Sequence, residues 1–211
     1  MSAHCCGHPV EPQKPEVSKG YRAVLWVVLA INAVMFLVEI GAGFLSGSAS
    51  LQADSLDFLS DAANYGVSIF VVGMALQARA HAALAKAASM LVFGVWVLGV
   101  AAWHLWTGTV PAAYTMGVVG LAALLANAGS FGMLWRFREG DSNMRSAWIC
   151  TRNDVLGNVA VLLAALGVFG TGTGWPDVIV ATIMAGLAIQ GAATVLPQAL
   201  NELQRARAAT V

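Results

Sequence analysis

Residues Gln52-Ala53-Asp54-Ser55-Leu56-Asp57-Phe58-Leu59-Ser60-Asp61-Ala62-Ala63-Asn64 place three aspartates and an asparagine inside an otherwise apolar segment that runs from about Ser50 to Gln77. A lone carboxylate in a bilayer-spanning helix costs about 3 kcal/mol even on the mild insertion scale. Three within eight residues therefore need a partner. At roughly 100° per residue, Asp54, Asp57, Asp61, Asn64 and Ser68 fall within about 80° of arc. One face of one helix is lined with oxygen ligands and the rest is apolar, which is half of a cation site inside a membrane protein.

The remainder of the chain supports the membrane reading. Of 211 residues, 58% are hydrophobic and 10% charged, against about 25% charged in a soluble domain. Apolar segments of about 20 residues number six: about 22–45, 50–77, 86–106, 114–135, 146–170 and 177–197. The expected fold is an all-α integral membrane domain over 21–198, with a polar tail at 1–20 and a short tail at 199–211. The first apolar run is too long for a signal peptide and follows a polar segment. Ten of the eleven basic residues fall on one side of this layout: Lys14, Lys19, Arg22, Arg79, Lys86, Arg136, Arg138, Arg145, Arg205 and Arg207. Connections 46–49, 107–113 and 171–176 carry none. The positive-inside rule then puts both termini in the cytoplasm of a multi-pass protein, with a bacterial inner membrane as the expected location. The basic residues are topological anchors, and nucleic acid is not an expected partner.

The polar tail contains His4-Cys5-Cys6-Gly7-His8. Two thiols and two imidazoles bind soft or borderline divalent metals, though the spacing is too tight for a folded zinc finger. Metal capture on the cytoplasmic side stands beside an unused tail as its reading. In the first helix Asn32 and Glu39 share a face, and Glu39 reads as a structural or water-facing acid beside a direct ligand role. Trp96, Trp103 and Trp106 form an aromatic cluster suited to the outer interface, and His104 within it reads as interfacial. His81 is placed in the loop after the second helix. Asn127 and Gly129 in the fourth helix read as packing positions.

The fifth helix holds the other half-site, Cys150-Thr-Arg-Asn-Asp154-Val-Leu-Gly-Asn158. Cys150, Asp154 and Asn158 recur every four residues on one face. Arg152 points roughly 160° away from Asp154, towards the cytoplasmic surface. The second and fifth helices run antiparallel in the expected topology, and at 1.5 Å per residue Asp61 and Asp154 both come near the midplane. Asp57, Asp61, Asp154 and Cys150 then supply four ligands to one ion, which suits zinc or softer cadmium. If Asn158 completes the set in place of Cys150, harder manganese, iron or cobalt is expected. Asp54 lies one turn further out as an entry-path acid, and Asn64 one turn further in.

Crowded acids in a low-dielectric site hold protons, and a metal can enter only as they leave. Metal and proton thus compete, and a site open to each side in turn becomes a metal/proton antiporter. The competing readings are a pump for organic cations and a membrane metallochaperone or sensor that binds without transport. An enzyme is not expected, and no cofactor other than the transported ion.

These residues resemble the cation diffusion facilitator family. The likeness rests on Asn32 and Glu39, on Ser48-Ala-Ser-Leu-Gln-Ala-Asp54, on Asp57-x-x-x-Asp61 and on Cys150-x-x-x-Asp154, and covers about residues 20–200. It implies a proton-coupled exporter of divalent transition metals, usually a homodimer, holding the ion at Asp57, Asp61, Cys150 and Asp154. Family members usually have histidine where Cys150 stands, which favours softer ions here. Most also carry a cytoplasmic metal-binding domain after the sixth helix, so the chain reads as a short form without it.

Overall fold

The second helix is the hub of the bundle. In the computed structural model, which describes residues 19–70, 76–137 and 142–208 (side chains at 19, 68, 70, 76–79, 142–150 and 205–208 excepted), the order is α1 (Lys19–Ser46), α2 (Ala49–Phe70), α3 (Leu76–Thr107), α4 (Ala113–Leu134), a 3-10 turn at Trp135–Phe137, α5 (Ser142–Thr171) and α6 (Trp175–Ala208). Among the described residues there is no strand. Residues of α2 enter every apolar cluster of the core. Ala49, Ala53 and Leu56 meet Val97 and Ala101 of α3 and Ala181 and Ala185 of α6. Tyr65 and Ile69 join Tyr21, Leu25 and Val28 of α1. Leu51 packs with Met116 of α4 and Val161, Ala164 and Val168 of α5. Phe58 meets Met35 of α1 and Ala123 of α4.

This arrangement explains how a helix with three aspartates lives in the bundle. Among the described residues, five helices are long and apolar enough to cross a membrane, and α2, with its three aspartates, is not one of them. The other helices turn large apolar side chains outward, among them Leu37, Val92, Leu125, Leu166 and Ile183, as a lipid-facing surface does. Every residue from Ala49 to Leu56 is instead buried. Protein, not lipid, surrounds the polar face.

Three connections meet at one end. Gly47, Gly108 and Gly172 follow α1, α3 and α5 directly and have φ of 66°, 67° and 64°, the left-handed conformation that glycine adopts at a helix end without penalty. Ala112 N–H donates to Ser46 O at 3.0 Å, and Gly174 packs against the Thr109 carbonyl. These ties bring the three basic-free connections together.

The opposite ends differ from the expected boundaries. Arg79, His81 and Lys86 lie within α3, not in a loop. The stretch from Leu76 to Ala88 is rich in alanine, which favours helix, and it packs through the buried Ala80 and Ala87. At the other end α6 continues as a helix through Pro197 to Ala208. At 34 residues it is about 50 Å long, well beyond a hydrocarbon core of about 30 Å.

Candidate metal centre

The acid face of α2 looks across at α5, and two contacts fix the register between them. Near the Gly47 end, Asn158 Nδ2 donates to Asp54 Oδ2 at 2.6 Å. Two to three turns further along, the Tyr65 hydroxyl lies 2.6 Å from Thr151 Oγ1 and donates to Asp61 Oδ2 at 3.2 Å. Antiparallel helices pinned at 54/158 and 65/151 must set Asp57 and Asp61 level with Asp154. The electrostatic neighbours of Asp154 are accordingly Asp61, Asp57 and Asp54. Asp154 Oδ2 is shut off from the surface and meets no donor among the described residues. It faces acceptors only, a contact that needs a cation or a proton to be favourable.

Gly157 of α5 lies at this level. A Cβ built there would lie 3.8 Å from Asp54 Oδ1 and 3.9 Å from Asp57 Oδ2. Two carboxylates of α2 therefore converge on the bare backbone of α5. Asp54 and Asp61 are buried, and Asp57 and Asp154 are half-buried. Among the described residues, no three of Asp, Glu, His and Cys are drawn tightly enough to enclose a metal ion. The carboxylates are gathered on one level but not closed on one point.

The remaining expected residues fall in distinct places. The Cys150 and Ser68 side chains, and His4, Cys5, Cys6 and His8, lie outside the described residues. Helix α5 carries position 150 one turn before Asp154 on the same face. Asn158 is committed elsewhere: besides its bond to Asp54, its Oδ1 accepts from Asn127 Nδ2 at 2.9 Å. Asn64 accepts a hydrogen bond from Lys86 Nζ of α3. Glu39 is fully buried and faces Asp54 and Asp57, while Asn32 bonds Val28 O of its own helix at 2.8 Å. Arg152 is exposed, as its angular position predicts.

Two residues matter that sequence reasoning passed over. Asn127, read as a packing position, donates into the α2–α5 network. Asp177, at the start of α6, is completely buried and accepts from Ser48 Oγ (2.7 Å), Ala49 N–H (2.8 Å) and Ser50 N–H (3.0 Å). It caps the acid-bearing helix from another helix, where a negative charge suits the helix dipole. An aspartate at position 177 was visible, but its partners lie 127 to 129 residues away.

Comparison with known proteins agrees with this architecture. The model of the cation efflux transmembrane domain matches residues 25–203. The Zinc transporter ZitB of Escherichia coli is 28% identical over 214 residues, covering 95% of this chain and 67% of its own. The Metal cation efflux system protein CzcD of Cupriavidus metallidurans is 23% identical over 196 residues, covering 87% and 62%. The Cadmium, cobalt and zinc/H(+)-K(+) antiporter of Bacillus subtilis is 23% identical over 197 residues, covering 83% and 62%. The chain spans about two thirds of the length of these curated relatives. With apolar helices of spanning length and bacterial relatives, it is a multi-pass integral membrane protein of the bacterial inner membrane. A match of this extent, over helices that bury carboxylates at their centre, makes the chain a member of the cation efflux family, the cation diffusion facilitators.

Proposed function

We propose that the chain exports divalent transition-metal cations in exchange for protons, zinc or cadmium first and cobalt next. The ion is held between α2 and α5 by Asp57, Asp61, Asp154 and Cys150. The observation that carries this reading is the opposition of Asp61 and Asp154 on facing helices, with no donor at Asp154 Oδ2 among the described residues. Buried carboxylates with no N–H or cationic partner are costly, and a divalent cation offsets that cost. The commitment of Asn158 to Asp54 and Asn127 favours Cys150 as the fourth ligand, at the level where Thr151 reaches Tyr65.

In this reading all six helices cross the membrane, α2 shielded by its neighbours. Both ends lie in the cytoplasm, where Lys19, Arg22, Arg79, Lys86 and Arg136 collect. The Gly47, Gly108 and Gly172 connections face outward. Proton coupling follows from ligand chemistry: carboxylate and thiolate bind metal only when deprotonated, so metal entry releases protons. The Bacillus subtilis relative's name, with H(+) beside zinc, cadmium and cobalt, supports the same exchange. The protein works as a homodimer, as the family resemblance implies, and His4, Cys5, Cys6 and His8 gather metal on the cytoplasmic side.

The test is metal-dependent proton flux in reconstituted vesicles, comparing zinc, cadmium, cobalt and manganese. Wild type is set against Asp57→Ala, Asp154→Ala and Cys150→Ser. Flux driven by zinc or cadmium and abolished by both alanine substitutions is expected. Tight metal binding with neither metal nor proton crossing would replace the transporter with a membrane metal-binding protein.

A further inference from the structure

We propose that Glu39 and Asp54 form a second holding station for the divalent cation, on the Gly47 side of Asp57. The proposal rests on the reading that the cation passes between α2 and α5.

Two buried carboxylates in this molecule set the contrast. Asp177 is fully buried and has three donors. Glu39 is also fully buried, deep inside α1; neither of its oxygens meets an N–H or hydroxyl donor among the described residues, and its carboxyl lies within hydrogen-bond reach of the Asp54 carboxyl. Its neighbours are the carboxylates of Asp54 and Asp57. Asn32, seven residues earlier on the same face, spends its amide N–H on Val28 O. A structural acid would be satisfied as Asp177 is. Acids aimed at one another share a proton or, once that proton leaves, offer their oxygens to a cation.

Asp54 completes the pair. Asn158 occupies its Oδ2, which leaves Oδ1 directed at Gly157, where α5 has no side chain. Asn127 and Asn158 orient Asp54 through a string of bonds from α4. The donors offered are both Glu39 oxygens and Asp54 Oδ1, hard oxygens without a thiolate. Such a set takes zinc, cobalt, manganese or cadmium, but holds soft ions less firmly than a site with a cysteine does. A firmer site followed by a weaker one suits passage, because conduction needs an ion to leave as well as to enter.

The experiment counts Cd2+ bound by the purified full-length protein in detergent, using equilibrium dialysis. All samples carry alanine at His4, Cys5, Cys6 and His8, so that the tail does not contribute. With those in place, about two ions per chain are expected, falling to about one in Glu39→Gln and about one in the double variant Cys150→Ser/Asp154→Asn. The thiolate–cadmium absorption band should vanish in the double variant and persist in Glu39→Gln. Should only the double variant lose an ion, the station is overturned and the α2–α5 site stands. Should only Glu39→Gln lose one, the station stands and the α2–α5 site fails. If Glu39→Gln does not remain monodisperse, Asp54→Asn is read in the same way.

Discussion

Asn158 of α5 donates from Nδ2 to Asp54 Oδ2 of α2 at 2.6 Å, both residues buried. The same amide accepts from Asn127 Nδ2 at 2.9 Å. It therefore ties three helices together, and its single oxygen is already engaged by Asn127. Asn158→Ala should leave Asp54 and Asn127 each short of a partner, costing about 1–2 kcal/mol of stability. Metal affinity should fall by no more than about tenfold, about 1.4 kcal/mol, whereas Asp154→Ala should abolish tight binding. Calorimetric titration with zinc separates the two. Equal losses in both variants would make Asn158 a ligand.

A second prediction concerns the N-terminal end of α2. Asp177 supplies acceptors to Ser48 Oγ and to the Ala49 and Ser50 amides, and Ser48 Oγ in turn accepts from Leu51 N–H at 3.1 Å. Asp177→Ala strands those donors in a buried place and should cost on the order of 3 kcal/mol. Ser48→Ala removes one cap and should cost about 1 kcal/mol. Denaturant titration followed by tryptophan fluorescence gives both values. A loss for Asp177→Ala no larger than that for Ser48→Ala would mean that the backbone amides find other partners.

Much of this layout is legible in the sequence, for reasons that differ by element. The arc shared by Asp54, Asp57 and Asp61 depends only on helical periodicity, so their common face was readable at once. The basic-free connections likewise coincide with the three glycine turns. The start of α3 was misplaced because charge was taken as the mark of a loop. Arg79 and Lys86 sit instead on an alanine-rich stretch of α3, a composition that favours helix. Asp177 and Asn127 were missed for another reason. Their roles are set by residues more than thirty positions away, and no local pattern encodes such a distance. Glu39 was visible as a costly acid, but only packing reveals that it faces Asp54 and not a basic group.

Tyr65 offers a third prediction. Its hydroxyl links Asp61 to Thr151, so it orients a proposed ligand without touching the ion itself. Tyr65→Phe keeps the ring that packs against Tyr21 and Leu25 and removes the hydroxyl that bonds Asp61 and Thr151. Stability should fall by about 1 kcal/mol. Zinc affinity should weaken about tenfold, the lower end of what loss of an outer hydrogen bond to a metal ligand costs. Thr151→Val should reproduce part of the effect. Unchanged affinity in Tyr65→Phe would free Asp61 from this constraint.

The last prediction compares two glycines. At Gly94 of α3 a Cβ would stand 2.8 Å from Ile189 Cγ1 and 3.3 Å from the Ala185 carbonyl of α6. Gly94→Ala must push these helices apart or turn Ile189 aside, costing about 1–3 kcal/mol and lowering the thermal midpoint. At Gly157 the nearest atoms are Met184 Cε at 3.7 Å and the two aspartate oxygens, all at ordinary contact distance. Gly157→Ala should therefore leave the fold intact. Gly157→Leu should send its branches between Asp54 and Asp57, into the proposed cation path, and abolish metal flux while preserving helix content. The decisive pair of measurements is circular dichroism and vesicle flux on the two Gly157 variants. Full flux in Gly157→Leu would place the cation path away from the meeting point of α2 and α5. Flux lost together with helix content would instead make Gly157 a packing residue of the same kind as Gly94.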